Sequence, residues 1–504
     1  MARILIISRS ARTDDHFALM AKELLTRGHD VRVVNGIYAP HITRIESANW
    51  ARFPADRIID FPKYVMKSVA ECDPTQEEIS QIESEIDLTQ WAAASSYLLY
   101  RRLYLDQGHS WPPYFETEGE IRNEYVATAR LWRDDLSKWK PELAFSETYD
   151  LISTMVLLGY LRRAGVFFLT LAFVPLLGDG KVHFVQGTNR KSIAFEHFYK
   201  NPALVSPSNL LAANALLASL KEGNLKRLEY VEFHSKKSGR RSVIQLTTGI
   251  KKLFRKQALK NPLGHLKALI NWLWLERHQL KVMPRQPYLL YFMQRQPEAS
   301  TTSAASFWVD QDRVLEQLAI HAPAGLTIAV KENPRSYLFR GRRYWKHLVR
   351  LPNIALLHPS MSGELLIRNA TAVVTINGSV GLEASAYGKR VGLLGKPYYD
   401  MYSGFRRLER PQDIFKYLRD PTWRPEELFD ERRRWLAAFI EAAVDFGAPK
   451  IQGSIWPIAE DGGVKLADGI ERHINLIRSA NLDPNQFDSG EHWRYPLANS
   501  MQNS

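Results

Sequence analysis

Two facing α/β domains, each built on a parallel sheet covered by helices, are what this sequence predicts. Three observations carry that expectation. From Tyr288 to Gly395, short apolar runs alternate with helical stretches roughly four times. The same strand–helix–strand order opens the chain, over 2–8, 17–27 and 31–34. A length of 504 residues, 45% of them hydrophobic, leaves room for two such units.

Taken in order, Ala2–Ser8 reads as a buried strand, Phe17–Arg27 as a helix stopped by Gly28, and Val31–Val34 as a second strand. No Gly-x-Gly-x-x-Gly joins the first strand to its helix, which argues against dinucleotide binding there. Residues 75–140 read as a mostly helical insert, broken at Trp111-Pro112-Pro113-Tyr114. Its aromatic residues suit either helix packing or the apolar faces of a sugar. A short strand at 143–145 runs into Ser146-Glu147-Thr148-Tyr149-Asp150, followed by a helix over 152–164 and a strand over 166–171. A strand or hairpin over 181–186 contains His183, read as structural. In the second half the strands are expected at 288–293, 326–330, 354–357, 372–376 and 390–395, with helices at 310–321 and 363–368. Late helices are expected over 411–418, 425–443 and 466–477. The domain reading is 1–235 for the first unit with its insert, 236–285 for a basic amphipathic linker, and 286–430 for the second unit. Closing helices then occupy 431–480 and a polar tail 481–504.

In parallel sheets, ligands sit beyond the carboxyl ends of the strands, and here those ends carry the polar residues. At Asn377-Gly378-Ser379-Val380-Gly381-Leu382-Glu383 a strand ends, a Gly–Ser turn follows and a helix begins near Val380. A helix start offers free N–H groups and a partial positive charge to an anion. Ser379 adds a hydroxyl, and Gly378 allows close approach. The alternative is an ordinary helix cap with a surface glutamate. Lys331-Glu332-Asn333-Pro334 offers Lys331, Asn333 and the N–H groups around Pro334 to a phosphate. His358-Pro359 ends the next strand and reads equally as an imidazole–proline site or a turn. Gln296-Pro297-Glu298 is expected to point Gln296 and Glu298 at the cleft, or else to be turn chemistry. Glu147, with Asp150 behind it, stands at a strand end of the first unit and is the candidate catalytic carboxylate. No Asp-x-Asp lies at a convincing strand end, so no metal and no cofactor is expected.

Gln296-Pro297-Glu298, Lys331-Glu332-Asn333-Pro334 and Asn377-Gly378-Ser379-Val380-Gly381-Leu382-Glu383-Ala384, in chain order and together with Gly388-Lys389-Arg390-Val391, resemble the bacterial capsule polysaccharide biosynthesis family, which includes Kdo transferases. The resemblance spans the block from Tyr288 to Gly395. It implies two facing Rossmann-like domains of the GT-B type and a glycosyltransferase that takes sugar from a nucleotide donor, CMP-Kdo in that family, to a saccharide or glycolipid acceptor. It also implies that Glu383 accepts from ribose hydroxyls and that the late helices cross back to the first domain. Related families carry His-Pro where this chain has Asn333-Pro334; an amide donates a hydrogen bond but carries no proton at neutral pH.

The formal charge is +13, concentrated in 236–285, which holds thirteen Lys and Arg against one acid, Glu276. So local an excess points to one anionic partner, such as a membrane face, and away from nucleic acid. Leu266, Leu269, Ile270, Leu273 and Trp274 fall on one side of a helix there. The lone Cys72 excludes a disulfide framework. Arg3–Ile7 is too short for the apolar core of a signal peptide, and no run approaches ~18 apolar residues. A cytoplasmic protein, peripheral at the inner membrane face, is expected. Two rivals remain: a sugar-nucleotide epimerase or polyol-phosphate transferase on the same fold, and a non-catalytic basic protein for nucleic acid.

Overall fold

The structure is a computed structural model that describes residues 1–8, 14–36, 50–104, 117–147, 149–177, 180–187, 190–222, 262–296, 298–333, 340–445 and 461–484. Its strands, in chain order, are β1 (Arg3–Ser8), β2 (Asp30–Asn35), β3 (Ile58–Asp60), β4 (Leu143–Ser146), β5 (Phe167–Phe173) and β6 (Lys181–Gln186). Then come β7 (Tyr288–Phe292), β8 (Thr327–Lys331), β9 (Ile354–Leu357), β10 (Ala372–Thr375), β11 (Arg390–Leu393), β12 (Phe405–Arg407) and β13 (Val444–Asp445). They form a seven-stranded sheet, ordered β13-β6-β5-β4-β1-β2-β3, and a six-stranded sheet, ordered β12-β11-β10-β7-β8-β9. The second sheet is wholly parallel; in the first, β6 alone runs against the others, pairing antiparallel with both β5 and β13. This is the expected pair of Rossmann-like domains, the GT-B arrangement.

Burial explains why the strand runs lack polar alternation. Ile4 to Ile7 in β1 and Val373 and Val374 in β10 have no exposed surface, because helices cover both sheet faces. Three strands escaped the sequence reading. β3, β12 and β13 have two or three residues each, and Arg406, Arg407 and Asp445 make them look like loop. The helical insert begins earlier than expected, at helix Phe61–Glu71. Its break at Trp111–Tyr114 lies outside the described residues, as do 223–235 at the end of the first unit, 236–261 of the basic linker and the tail from 485.

The chain crosses between the lobes near its end, as the resemblance implies. Helix Phe429–Ala442 packs on helices Ile193–Lys200 and Pro207–Glu222, β13 pairs with β6, and helix Gly462–Ser479 lies along helix Asp14–Thr26. Arg27 fastens that last contact, with Glu471 at 2.6 Å and Asp468 at 2.7 Å. His183 sits inside the crossing. Its ring stacks on Phe439 at 4.2 Å and its Nε2 is 2.9 Å from the Phe439 carbonyl. Burial pushes it down to about 3, so it is neutral and structural.

A buried acid anchors the insert. Glu124 accepts from the N–H (3.2 Å) and hydroxyl (2.8 Å) of Ser153, at the start of helix Ile152–Arg163. Burial raises its carboxyl to about 7, against the opposing pull of those two bonds. The folded chain therefore holds a proton here that the unfolded chain releases near 4.5. The associated stability is fully present below that pH and is lost as pH climbs through about 7, with a ceiling of roughly 3 kcal/mol. Glu124→Gln keeps an acceptor without the charge. Denaturant unfolding at several pH values should find it more stable than the parent at pH 8 and no more stable at pH 4.

Candidate functional site

The carboxyl ends of β7, β8 and β10 are built from one interlocked set of polar side chains. Gln294, two residues past β7, is buried. Its N–H donates to Gln311 Oε1 at 2.7 Å, its carbonyl accepts from Gln311 Nε2 at 3.1 Å, and its own amide donates to Thr375 Oγ1 at 3.1 Å. Arg340 enters the same knot from outside every motif. Its guanidinium has no exposed surface and meets three acceptors: Glu332 Oε1 at 2.6 Å, Gln294 O at 2.8 Å and Gln296 Oε1 at 2.9 Å. Burial pushes the Glu332 carboxyl upward and Arg340 pulls it back. An always-charged guanidinium keeps the pair ionic.

This network corrects three expectations. Gln296 does not face the cleft: it is 2% exposed, and its amide nitrogen donates to the Val309 carbonyl at 2.6 Å. Lys331 is equally buried and donates to the Pro359 carbonyl at 2.8 Å, which joins the loop after β8 to the loop after β9. His358 is turned away as well. Its Nδ1 accepts from the Ser360 N–H at 3.2 Å, which places the ring proton on Nε2, 3.0 Å from Glu276 Oε1. Burial holds that imidazole below its usual range, against the pull of Glu276. All three residues are tied down because a polar group at a buried strand end needs a partner, and the protein supplied it.

The helix start after β10 remains available. Gly378 caps helix Ser379–Ala386 without a side chain, so the cap residue itself offers the first N–H groups no acceptor. A Cβ at Gly378 would lie 2.3 Å from Gln294 Nε2, so only glycine fits between the knot and the helix. Tyr399 donates its hydroxyl to the Gly378 carbonyl. Ser379 is half-buried, Val380 is buried, and Glu383 lies half-buried one turn on. Asn333 sits half-buried at the neighbouring rim, with its N–H on Glu332 Oε1 at 3.1 Å; Pro334 lies outside the described residues.

Across from this edge, the loop after β4 carries Glu147 and Asp150, both half-buried. Asp150 and Glu298 are close enough to act on one another. Glu298 is exposed to solvent, and its Oε2 accepts from the Ser300 hydroxyl at 3.0 Å. Desolvation raises its carboxyl, Asp150 adds to the rise, and Arg295 and Arg190 oppose it. Two carboxylates and two guanidinium groups, one of each from either lobe, thus share a field.

The sequence reading missed Arg190, Arg295, Arg340 and Gln311. Arg190 sits in a left-handed turn (φ 53°), with its guanidinium 5.9 Å from the ring centre of Tyr398. Tyr398 itself donates across the lobes to the Phe173 carbonyl at 3.2 Å. Arg295 alone adjoins a stretch already singled out, Gln296-Pro297-Glu298.

Two parallel sheets with their strand ends at a common cleft define a GT-B-type α/β protein. Residues 276–443 match the family described as capsule polysaccharide biosynthesis protein, and this segment contains the stretches on which the resemblance rested. Two curated relatives, both the capsule polysaccharide modification protein LipB of Neisseria meningitidis (serogroup A and serogroup B), are 27% identical over 132 residues. That alignment covers 24% of this chain and only 29% of each relative's length. Among solved structures, the β-Kdo 2,4 transferase of Thermosulfurimonas dismutans KpsC aligns at 13% identity and TM-score 0.38, over 65% of this chain and 87% of that one. UDP-GlcNAc 2-epimerase from Neisseria meningitidis aligns at 11% identity and TM-score 0.27, over 93% and 100%.

Breaking the buried pair should be costly. Arg340→Ala is expected to lose about 3–5 kcal/mol in urea unfolding, since it strands Glu332. Arg340→Lys should recover only part, because a point charge does not span three acceptors. Arg340→Met combined with Glu332→Leu should lose less than Arg340→Ala alone.

Proposed function

We propose that this protein is a glycosyltransferase of bacterial surface polysaccharide biosynthesis, moving a sugar from a nucleotide donor to a saccharide or lipid-linked acceptor. The observation that carries the reading is the shared field of Asp150, Arg190, Arg295 and Glu298, contributed by both lobes beside an uncapped helix start. In this reading the donor phosphate lies against the N–H groups at Ser379 and Val380, with the Ser379 hydroxyl as a further donor. Glu383 takes the ribose hydroxyls. Arg190 and Arg295 stabilise the charge that develops on the leaving phosphate. A carboxyl held above its usual range beside a second acid suits proton transfer. We therefore assign Glu298 to the acceptor hydroxyl's proton, with Asp150 and Glu147 orienting the acceptor. Asn333 supplies a neutral hydrogen bond at the rim.

The family resemblance favours a CMP-sugar, and CMP-Kdo is the first donor to try. The basic stretch 236–285 would hold the enzyme against an anionic membrane face, where a lipid-linked acceptor resides. Within its described part, helix Pro262–His278 leaves Leu266, Ile270 and Leu273 exposed along one side, with Arg277 beyond them.

Thermal melting with CMP-, UDP- and GDP-sugars tests the donor site. One class should stabilise the protein by about 2.7 kcal/mol at a hundredfold excess over Kd. Ser379→Ala should weaken that binding several-fold. Glu298→Gln should leave binding within a few-fold and lower turnover roughly 10²–10⁴-fold. Stabilisation by no nucleotide sugar would refute the assignment, and donor turnover without any acceptor would convert it to an epimerase.

A further inference from the structure

The stretch Gly388-Lys389-Arg390 belongs to the block that carries the family resemblance, yet the proposed transfer does not use it. It lies where β11 begins, at the edge of the second sheet opposite the cleft. A cavity of about 240 Å3 opens there. Leu217, Leu220 and Phe429 give it an apolar wall, and Lys221, Arg368, Lys389 and Arg432 line the remainder, with no acidic residue among the lining groups.

Four cations around one hollow need an account. Part of it is structural. Arg432 NH1 reaches the Ser385 carbonyl at 3.5 Å, and Lys389 Nζ donates to the Ala370 carbonyl at 3.3 Å. Those carbonyls belong to the ends of helices Ser379–Ala386 and Gly363–Asn369. Each helix end is equivalent to about half a negative charge, so the two together balance roughly one cation. Arg368 has Glu364 at 3.9 Å. Lys221, Lys389 and Arg432 form no ion pair among the described residues, and Glu426 acts on the last two only from a distance.

Arg432 is the most telling of them. It is 6% exposed, and its Nε has no hydrogen-bond partner among the described residues. Its guanidinium lies against Gly388, a glycine at φ +72° where a Cβ would come within 2.2 Å of NH1. Arg432 also lies over the Phe429 ring at 5.8 Å, as Lys221 Nζ does at 4.9 Å, so the ring already takes part of their charge and the backbone is shaped around a cation whose Nε still lacks an acceptor among the described residues. Lys389 is also held below the usual lysine range, by burial first and then by Arg368. A buried charge without a full set of partners is unfavourable until an anion completes it.

We propose that this cavity is a second, non-catalytic site that binds the phosphate of a phosphate ester. Arg432, Lys389 and Lys221 meet the phosphate oxygens, and the wall of Leu217, Leu220 and Phe429 faces the ester's organic part. The site stands on its own geometry and does not depend on the transferase reading. Its ligand is either a lipid headgroup or a soluble ester, and the two separate by experiment.

Calorimetric titration of the full chain with glycerol 3-phosphate, and with dioctanoyl phosphatidate below its micelle-forming concentration, is the test. Monomeric lipid avoids any contribution from the basic stretch binding a vesicle. Binding of phosphatidate at least tenfold tighter than glycerol 3-phosphate identifies a lipid headgroup; equal binding identifies a soluble ester. In either case Lys221→Gln/Lys389→Gln should weaken binding at least tenfold, while Ser379→Ala leaves it unchanged. Should the double variant fail to fold, Lys221→Gln alone, at an exposed side chain, should weaken binding about threefold. The proposal is overturned if neither probe binds, if the folded variant binds within twofold of the parent, or if dioctanoyl phosphatidylcholine binds as tightly as phosphatidate.

Discussion

A single buried guanidinium holds the edge on which the site is built. Arg340 joins the loop after β7, through Gln294 and Gln296, to the end of β8, through Glu332. The Met293 N–H donates to the Lys331 carbonyl at 2.9 Å where the two strands end, and beyond that bond the planar fork of Arg340 continues the link between them. Gln294 then passes the constraint to β10 through Thr375, and Gly378 follows because nothing larger than hydrogen fits beside that amide. The position of the helix start at Ser379 is therefore decided by charge pairing and close packing about a strand away.

Polar residues at these strand ends divide into two populations. Gln294, Gln296, Lys331, Glu332 and His358 are buried and spend their hydrogen bonds on the protein. Ser379, Asn333, Glu298, Asp150 and Glu147 keep part of their surface open. The first group ties the strand ends together, and the second leaves polar atoms open at the rim. Such a division suits a site that must place charge before a ligand arrives, because preorganised dipoles need no rearrangement during reaction.

The longer strands of both sheets were legible because helices cover both faces, and that burial writes uninterrupted apolar runs into the sequence; the short edge strands β3, β12 and β13 lack such runs. The helix start after β10 was legible for a related reason: Gly378 and Ser379 interrupt such a run at its end. What could not be read was the direction a polar side chain takes. Gln296 and Glu298 stand two residues apart in one turn, yet one is buried on Arg340 and the other faces Arg190 and Asp150. The deciding partners lie 44 residues downstream for the first and more than a hundred upstream for the second. No local pattern marks Arg340 or Arg190, since an arginine in a loop looks the same whether it is solvated or sealed inside.

The return of the chain to its first lobe has a consequence for how this architecture can be cut and exchanged. β13 completes the seven-stranded sheet, and helix Gly462–Ser479 covers helix Asp14–Thr26. The first lobe is thus assembled from both extremities of the polypeptide, with the second lobe inserted between them. A chimera that swaps the second lobe between relatives would have to graft an internal segment and leave the flanking parts of the first lobe in place. A simple front-and-back splice would strip the first lobe of an edge strand and one of its covering helices.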